Sequence, residues 1–126
     1  MKKIIQTPNA PAPLGPYNQA VASNGTLYVS GQIAMDATTG NFVTDSIAKE
    51  THQVMKNIQA ILSEAGITFE QVLKASIYIS DMNNFAVINQ VYASYFNEDT
   101  APARECVEVA RLPKDVNVEI SVIAEL

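Results

Sequence analysis

A chain of 126 residues fits a single domain and buries roughly two-thirds of its unfolded surface, enough for a core without disulfides or a structural metal. With 48% hydrophobic and 17% charged residues it is too apolar for intrinsic disorder, and its net charge of −5 disfavours binding to a phosphate backbone. One cysteine and one histidine exclude an intrachain disulfide, a cysteine- or histidine-rich zinc site, an H-E-x-x-H helix and a triad built on a second histidine.

At the start of the chain, Gln6-Thr7-Pro8 interrupts Ile4-Ile5 well short of a signal peptide or of the ~20 apolar residues of a spanning helix. A soluble protein of a reducing compartment, the cytoplasm first, is the expectation. Pro8, Pro11, Pro13 and Pro16 then predict an extended, turn-rich loop, because proline lacks a donor and restricts its predecessor. The loop ends in Tyr17 and reads as part of the fold. Residues 20–22 and 27–30 are predicted strands, joined by Ser23-Asn24-Gly25, since Asn-Gly suits a tight hairpin turn. Gly31 follows Ser30 directly, where a missing side chain lets a backbone or a ligand come close. Residues 37–40 mark another turn.

From residue 46 to 65 the period becomes helical: Ile47, Thr51, Val54, Ile58, Ile61 and Ala65 form one stripe. Thr44 or Asp45 is the expected cap and Gly66 the terminator. Lys49, Glu50, Lys56 and Glu64 are read as lying on or beside the opposite face. Residues 72–80 read as a strand. Phe85, Ile88, Tyr92, Tyr95 and Phe96 form a second helical stripe, broken by Asn97-Glu98-Asp99-Thr100. Residues 105–110 and 116–123 are the last strands, separated by a turn at Leu112-Pro113-Lys114-Asp115.

The order strands, helix, strand, helix, strands predicts one α+β domain over 1–126, a mixed sheet with two helices on one face. Alternation puts Val118, Ile120 and Val122 on one side of the final strand and Asn117, Glu119, Ser121 and Ile123 on the other. No segment remains to cover that second face, so a homo-oligomer with meeting sheet faces is expected.

Arg104 opens a strand after Ala101-Pro102-Ala103, on the same side as Cys106 and Glu108. A guanidinium there offers a planar fork to a carboxylate, and equally suits a surface pair with a nearby glutamate. Glu119, mid-strand between Val118 and Ile120, is either solvated or partly buried, and burial would raise its pKa toward acid–base use. Cys106 reads as a buried, inert thiol, His52 as a plain helical histidine and Tyr17 as a packing residue or a hydroxyl facing a site. Ser30-Gly31 reads as a tight strand end or a place where backbone N–H groups meet an anion. There is no GxGxxG, P-loop or nucleophile elbow.

Three runs carry a resemblance: Ala12-Pro13-Leu14-Gly15-Pro16-Tyr17, Val29-Ser30-Gly31-Gln32-Ile33, and the stretch from Pro102 through Arg104, Cys106 and Arg111 to Pro113. In these, and across essentially the whole length, the chain resembles the Rid family of reactive intermediate deaminases (RidA/YjgF/UK114-type). The resemblance implies a chorismate-mutase-like trimeric barrel, with sheets inward, helices outward and sites in clefts between subunits. It implies hydrolysis of 2-enamine and 2-imine acids, such as 2-aminoacrylate and its imine tautomer, to 2-oxo acids and ammonia, with no cofactor and no metal. By the same resemblance Arg104 holds the substrate carboxylate, and the backbone of Cys106 helps to position the substrate. Glu119 orients or activates water, Tyr17, Ser30 and Gly31 line the pocket, and Asn89 lies near it. Glu105 departs from the small polar residue often found there, but by parity points away from Arg104. The competing readings are a non-catalytic, small-carboxylate-binding trimer, which needs Arg104 but not Glu119, and an endoribonuclease or translation inhibitor, against which the acidic charge and the lack of a basic cluster argue.

Overall fold

Asn24 and Gly25 both take positive φ (51° and 77°), the conformation a two-residue hairpin turn requires. They join β2 (Ala20–Ser23) to β3 (Thr26–Gln32) in antiparallel register. This hairpin belongs to a six-stranded sheet in the computed structural model, which describes residues 1–126. β1 (Lys3–Ile5) pairs outside β2, and β6 (Val118–Glu125) runs between β3 and β4 (Val72–Ile79). β5 (Ala103–Glu108) lies parallel to β4 at the far edge, giving the order β1-β2-β3-β6-β4-β5. β1 is not among the predicted strands: three residues show too little alternation to register as one.

α1 spans Ile47–Glu64. Its cap is Ser46, whose hydroxyl accepts from the Lys49 N–H at 3.1 Å, rather than Thr44 or Asp45; Asp45 instead pairs with the Lys49 ammonium. Gly66, at φ 79°, ends the helix, and the N–H groups of Gly66 and Ile67 return to the carbonyls of Ser63 and Leu62, each at 3.0 Å. Thr51, Val54, Ile58 and Ile61 are fully buried, as are Met55 and Leu62. Each aliphatic side chain among these contributes roughly 1.5–3 kcal/mol by burial.

The placing of Glu50 on or beside the face opposite the stripe is overturned: it is 0% exposed. Positions 47, 50, 54, 58 and 61 themselves follow three- and four-residue steps, so Glu50 sits on the flank of the apolar stripe and faces the sheet.

α2 (Phe85–Ala93) supplies the crossover between the parallel strands β4 and β5. It ends earlier than the aromatic stripe suggests. Tyr95 and Phe96 leave the helix but still pack on Phe69, at centroid distances of 5.4 and 5.3 Å, and Tyr95 shares a 2.9 Å hydrogen bond with His52 Nδ1.

Both helices cover one sheet face. Val118, Ile120, Val122 and Ala124 are all at most 2% exposed against them. The other face carries Ile4, Tyr28, Val107 and Ile123 in the open, with Glu105 accepting from Ser76 and ion-paired to Lys74. No helix is long and apolar enough to cross a membrane.

Candidate functional site

The proline-rich segment between β1 and β2 has no regular structure, and one side chain holds it. Gln19 is 3% exposed. Its Oε1 accepts from the Thr7 N–H at 2.7 Å, and its Nε2 donates to the carbonyls of Thr7, Ala10 and Pro11 at 3.0, 3.1 and 2.9 Å. Sequence reasoning passed over Gln19, since a single glutamine before a strand carries no periodic signal. So anchored, the loop walls a cleft of about 490 Å³ with Leu14 and Tyr17, faced by Ser30, Gly31, Pro113 and Glu119. The Tyr17 hydroxyl accepts from the Leu14 N–H at 3.0 Å, and its own proton remains for a ligand.

Ser30 and Gly31 form a bulge. Val29 pairs with Val122 and Gln32 with Ile120, so two residues of β3 face Ser121 alone. Ser30 spends its donors inside the chain, its hydroxyl on the Asn18 carbonyl at 2.6 Å and its N–H on Gln19 at 2.9 Å. The anion-binding N–H groups expected at Ser30-Gly31 therefore do not include that of Ser30. Gly31 answers a closer demand. A Cβ placed there would lie 2.1 Å from Glu119 Oε2 and 2.8 Å from its Cδ, so only glycine lets the carboxylate rest against the β3 backbone.

Glu119 projects from β6 beside Tyr78 of β4. It is half-buried, no ion pair reaches it, and burial pushes its carboxyl pKa up. A carboxyl group shifted upward is a better base than an ordinary glutamate and, once protonated, loses the proton less readily to water, which suits proton transfer.

Arg104 lies elsewhere. It is exposed on β5 and has no carboxylate partner, which removes the surface-pair reading. Its Nη1 donates to Asn89 Oδ1 of α2 at 2.6 Å, and its guanidinium carbon sits 5.7 and 5.1 Å from the ring centroids of Phe85 and Tyr92. The two rings and the amide orient the fork and leave its remaining donors free for an anion. Cys106, two residues on, is half-buried rather than buried. Burial pushes its thiol pKa up, so it is a poor nucleophile.

The predicted site residues thus form two groups. Tyr17, Ser30, Gly31 and Glu119 meet in the cleft; Arg104, Asn89 and Cys106 meet at the α2–β5 edge. Register explains the division. Arg104 sits beside Ala75, which sits beside Val122, on the helix-covered face. Glu119 and Tyr78 lie on the opposite face. One copy of the chain holds both groups and does not join them. No cluster of metal-ligating side chains occurs.

The family model described as Endoribonuclease L-PSP matches residues 7–126. A RutC family protein of Synechocystis sp. is 54% identical over 98% of this chain and 96% of its own length. A 2-iminobutanoate/2-iminopropanoate deaminase of Bos taurus is 45% identical over 98% of this chain and 90% of its own length. Among solved structures, the YjgF gene product of E. coli superposes with a TM-score of 0.91 at 42% identity, over 98% of both chains. E. coli TdcF with bound serine superposes at 0.92 and 40% identity, with the same coverage.

Proposed function

Since the chain belongs to the Rid (YjgF/RidA) family, we propose that it hydrolyses 2-imino and 2-enamino acids of the 2-aminoacrylate/2-iminopropanoate type to 2-oxo acids and ammonia. The observation that carries this reading is Glu119, a half-buried carboxyl group with a raised pKa, free of any cation, facing an open cleft. An imine is already electrophilic, so positioning and proton transfer suffice. The Arg104 fork binds the substrate carboxylate and fixes the imine carbon. Glu119 takes a proton from water as the water oxygen bonds to that carbon and hands it to the imine nitrogen, forming a neutral carbinolamine. It then takes the proton of the carbinolamine hydroxyl and passes it to the amine; the C–N bond breaks, ammonia leaves and the carbonyl forms. The serine bound to TdcF, a small amino acid, supports a ligand of this size bearing an α-carboxylate.

Copies of the chain complete the site in this reading. Tyr28, Val107 and Ile123 stand 51%, 42% and 37% exposed on the uncovered sheet face. A homotrimer that buries this face brings Arg104 of one copy to Glu119 of the next. The cytoplasm is the proposed location, in keeping with the single cysteine.

Serine bound to TdcF also favours a second reading, a carboxylate-binding protein without turnover. One experiment separates the two: 2-oxo acid release from an enzymatically generated 2-imino acid, with serine binding measured alongside. The enzyme reading expects release by the native protein, and Glu119→Gln that still binds serine but turns over at least a hundredfold more slowly. Native protein that binds serine and releases no 2-oxo acid overturns it.

A further inference from the structure

Outside the cleft, the buried titratable group that this reaction leaves unused is Glu50. It accepts three hydrogen bonds: at Oε2 from the backbone N–H groups of Asn117 (2.7 Å) and Val118 (3.0 Å), and at Oε1 from Asn117 Nδ2 (2.8 Å). No cationic side chain pairs with it. The last pairing between β3 and β6 is Gln32 with Ile120. Before Ile120, the β6 backbone has no β3 partner, and Glu50 supplies the acceptors a strand would have supplied.

The same point is tied to β4. The Asn117 carbonyl accepts from the Ser80 N–H at 3.1 Å, and Asn117 Oδ1 from the Ser80 hydroxyl at 3.2 Å. Just upstream the backbone is strained. Lys114 and Asp115 take the left-handed φ values 58° and 57° without being glycine. Only Val116, Asn117 and Val118 separate that turn from Glu119, and Glu50 holds two of the three.

We infer that Glu50 is a positioning residue for Glu119: by clamping Asn117 and Val118 it fixes the stretch of backbone from which the Glu119 carboxylate lies against Gly31. All three partners are donors, so the clamp needs a carboxylate; an amide nitrogen there would face an N–H group. The kinetic consequence rests on the reading of Glu119 as the proton shuttle. The positional one does not.

The test uses Glu50→Gln and, as a milder break, Asn117→Ala, which leaves both backbone bonds in place. Oligomeric mass and Tm are measured first. The Glu119 carboxyl is then titrated by carbon NMR, which needs no turnover, and kcat and KM are measured on a 2-imino acid. Within one copy the titratable side chains facing Glu119 are Tyr78 from β4 and Tyr17 across the cleft, and in the proposed trimer Arg104 of the neighbouring copy joins them; none of the three is altered. In folded Glu50→Gln the Glu119 midpoint should fall toward the ordinary glutamate range as the carboxylate swings into solvent. Misplacement should lower kcat about ten- to a hundredfold. KM should stay within about twofold, because Arg104 is untouched. Asn117→Ala should move both readouts the same way, by less. A lower Tm with an unchanged midpoint and kcat overturns the inference and leaves Glu50 purely structural. If Glu50→Gln does not fold, an unchanged midpoint in Asn117→Ala overturns it. If the native protein releases no 2-oxo acid, the deaminase reading fails, and the Glu119 titration still decides the positioning role.

Discussion

Gly31 owes its identity to a contact with the Glu119 side chain, far along the sequence, and not to a turn. A methyl group there would overlap the Glu119 carboxylate at 2.1 Å, so either the glutamate rotates away or the β3 bulge opens. Rotation costs less, since Glu119 has three flexible torsions and the bulge is built into the sheet. Gly31→Ala is therefore expected to fold and assemble normally, with kcat/KM lowered at least about tenfold. Activity close to native, with the glutamate displaced in a crystal structure of the variant, would show that the carboxylate need not rest on β3. The same contact explains how a carboxyl group sits half-buried with no cation near it: it lies along backbone, where a larger neighbour would force it into water.

Among the elements, the proline loop depends most on a single residue. Replacing Gln19 by leucine keeps its bulk but strands one N–H and three carbonyls. An unsatisfied buried polar group costs about 1–3 kcal/mol, so a loss of at least about 2 kcal/mol is expected even as water enters to rescue some of them. The loop should loosen first. Hydrogen exchange of residues 12–17 should quicken, and KM should rise severalfold more than kcat falls, because the loop carries Tyr17 and not Glu119; unchanged exchange would mean that the prolines alone stiffen it. Legibility in the sequence follows the range of the interactions. The α1 stripe, the Asn-Gly turn and the β6 alternation are local patterns and could be read directly. Strand parity correctly turned Glu105 away from Arg104, toward Ser76 and Lys74. The roles of Gln19 and Glu50 could not be read, because their partners, at Thr7 to Pro11 and at Asn117 and Val118, are set by tertiary structure. Nor could the division of the site. Parity gives each strand two faces, and only the register of β4 with both β5 and β6 shows that Arg104 and Glu119 lie on opposite ones.

For the whole molecule, that division makes the proposed assembly testable by mixing. A chain with Arg104→Ala retains Glu119, and a chain with Glu119→Gln retains Arg104. Each alone should be nearly inactive. Unfolded together in equal amounts and refolded, random neighbours in a cyclic oligomer should rebuild about a quarter of the sites with both groups intact. Recovery of about a quarter of native activity is the expected outcome; a mixture no more active than its components would mean that each site draws both groups from one copy.

The strand that completes the sheet follows all five others in sequence. β6 lies between β3 and β4, pairing Glu125 with Thr26 and Val118 with Ile79. Earlier elements can form the β2–β3 hairpin and α1, but without residues 118–125 the sheet is two separate pieces with bare inner edges. Pairings this distant in sequence are slow to form, and refolding in roughly milliseconds to seconds is the regime for such topologies. Meanwhile the unpaired edges of β3 and β4 are exposed to other chains. Glu119 rides on the closing strand, so a chain halted at that stage lacks the proton shuttle as well as the centre of its sheet. Completion of the fold and acquisition of the proposed chemistry are one event.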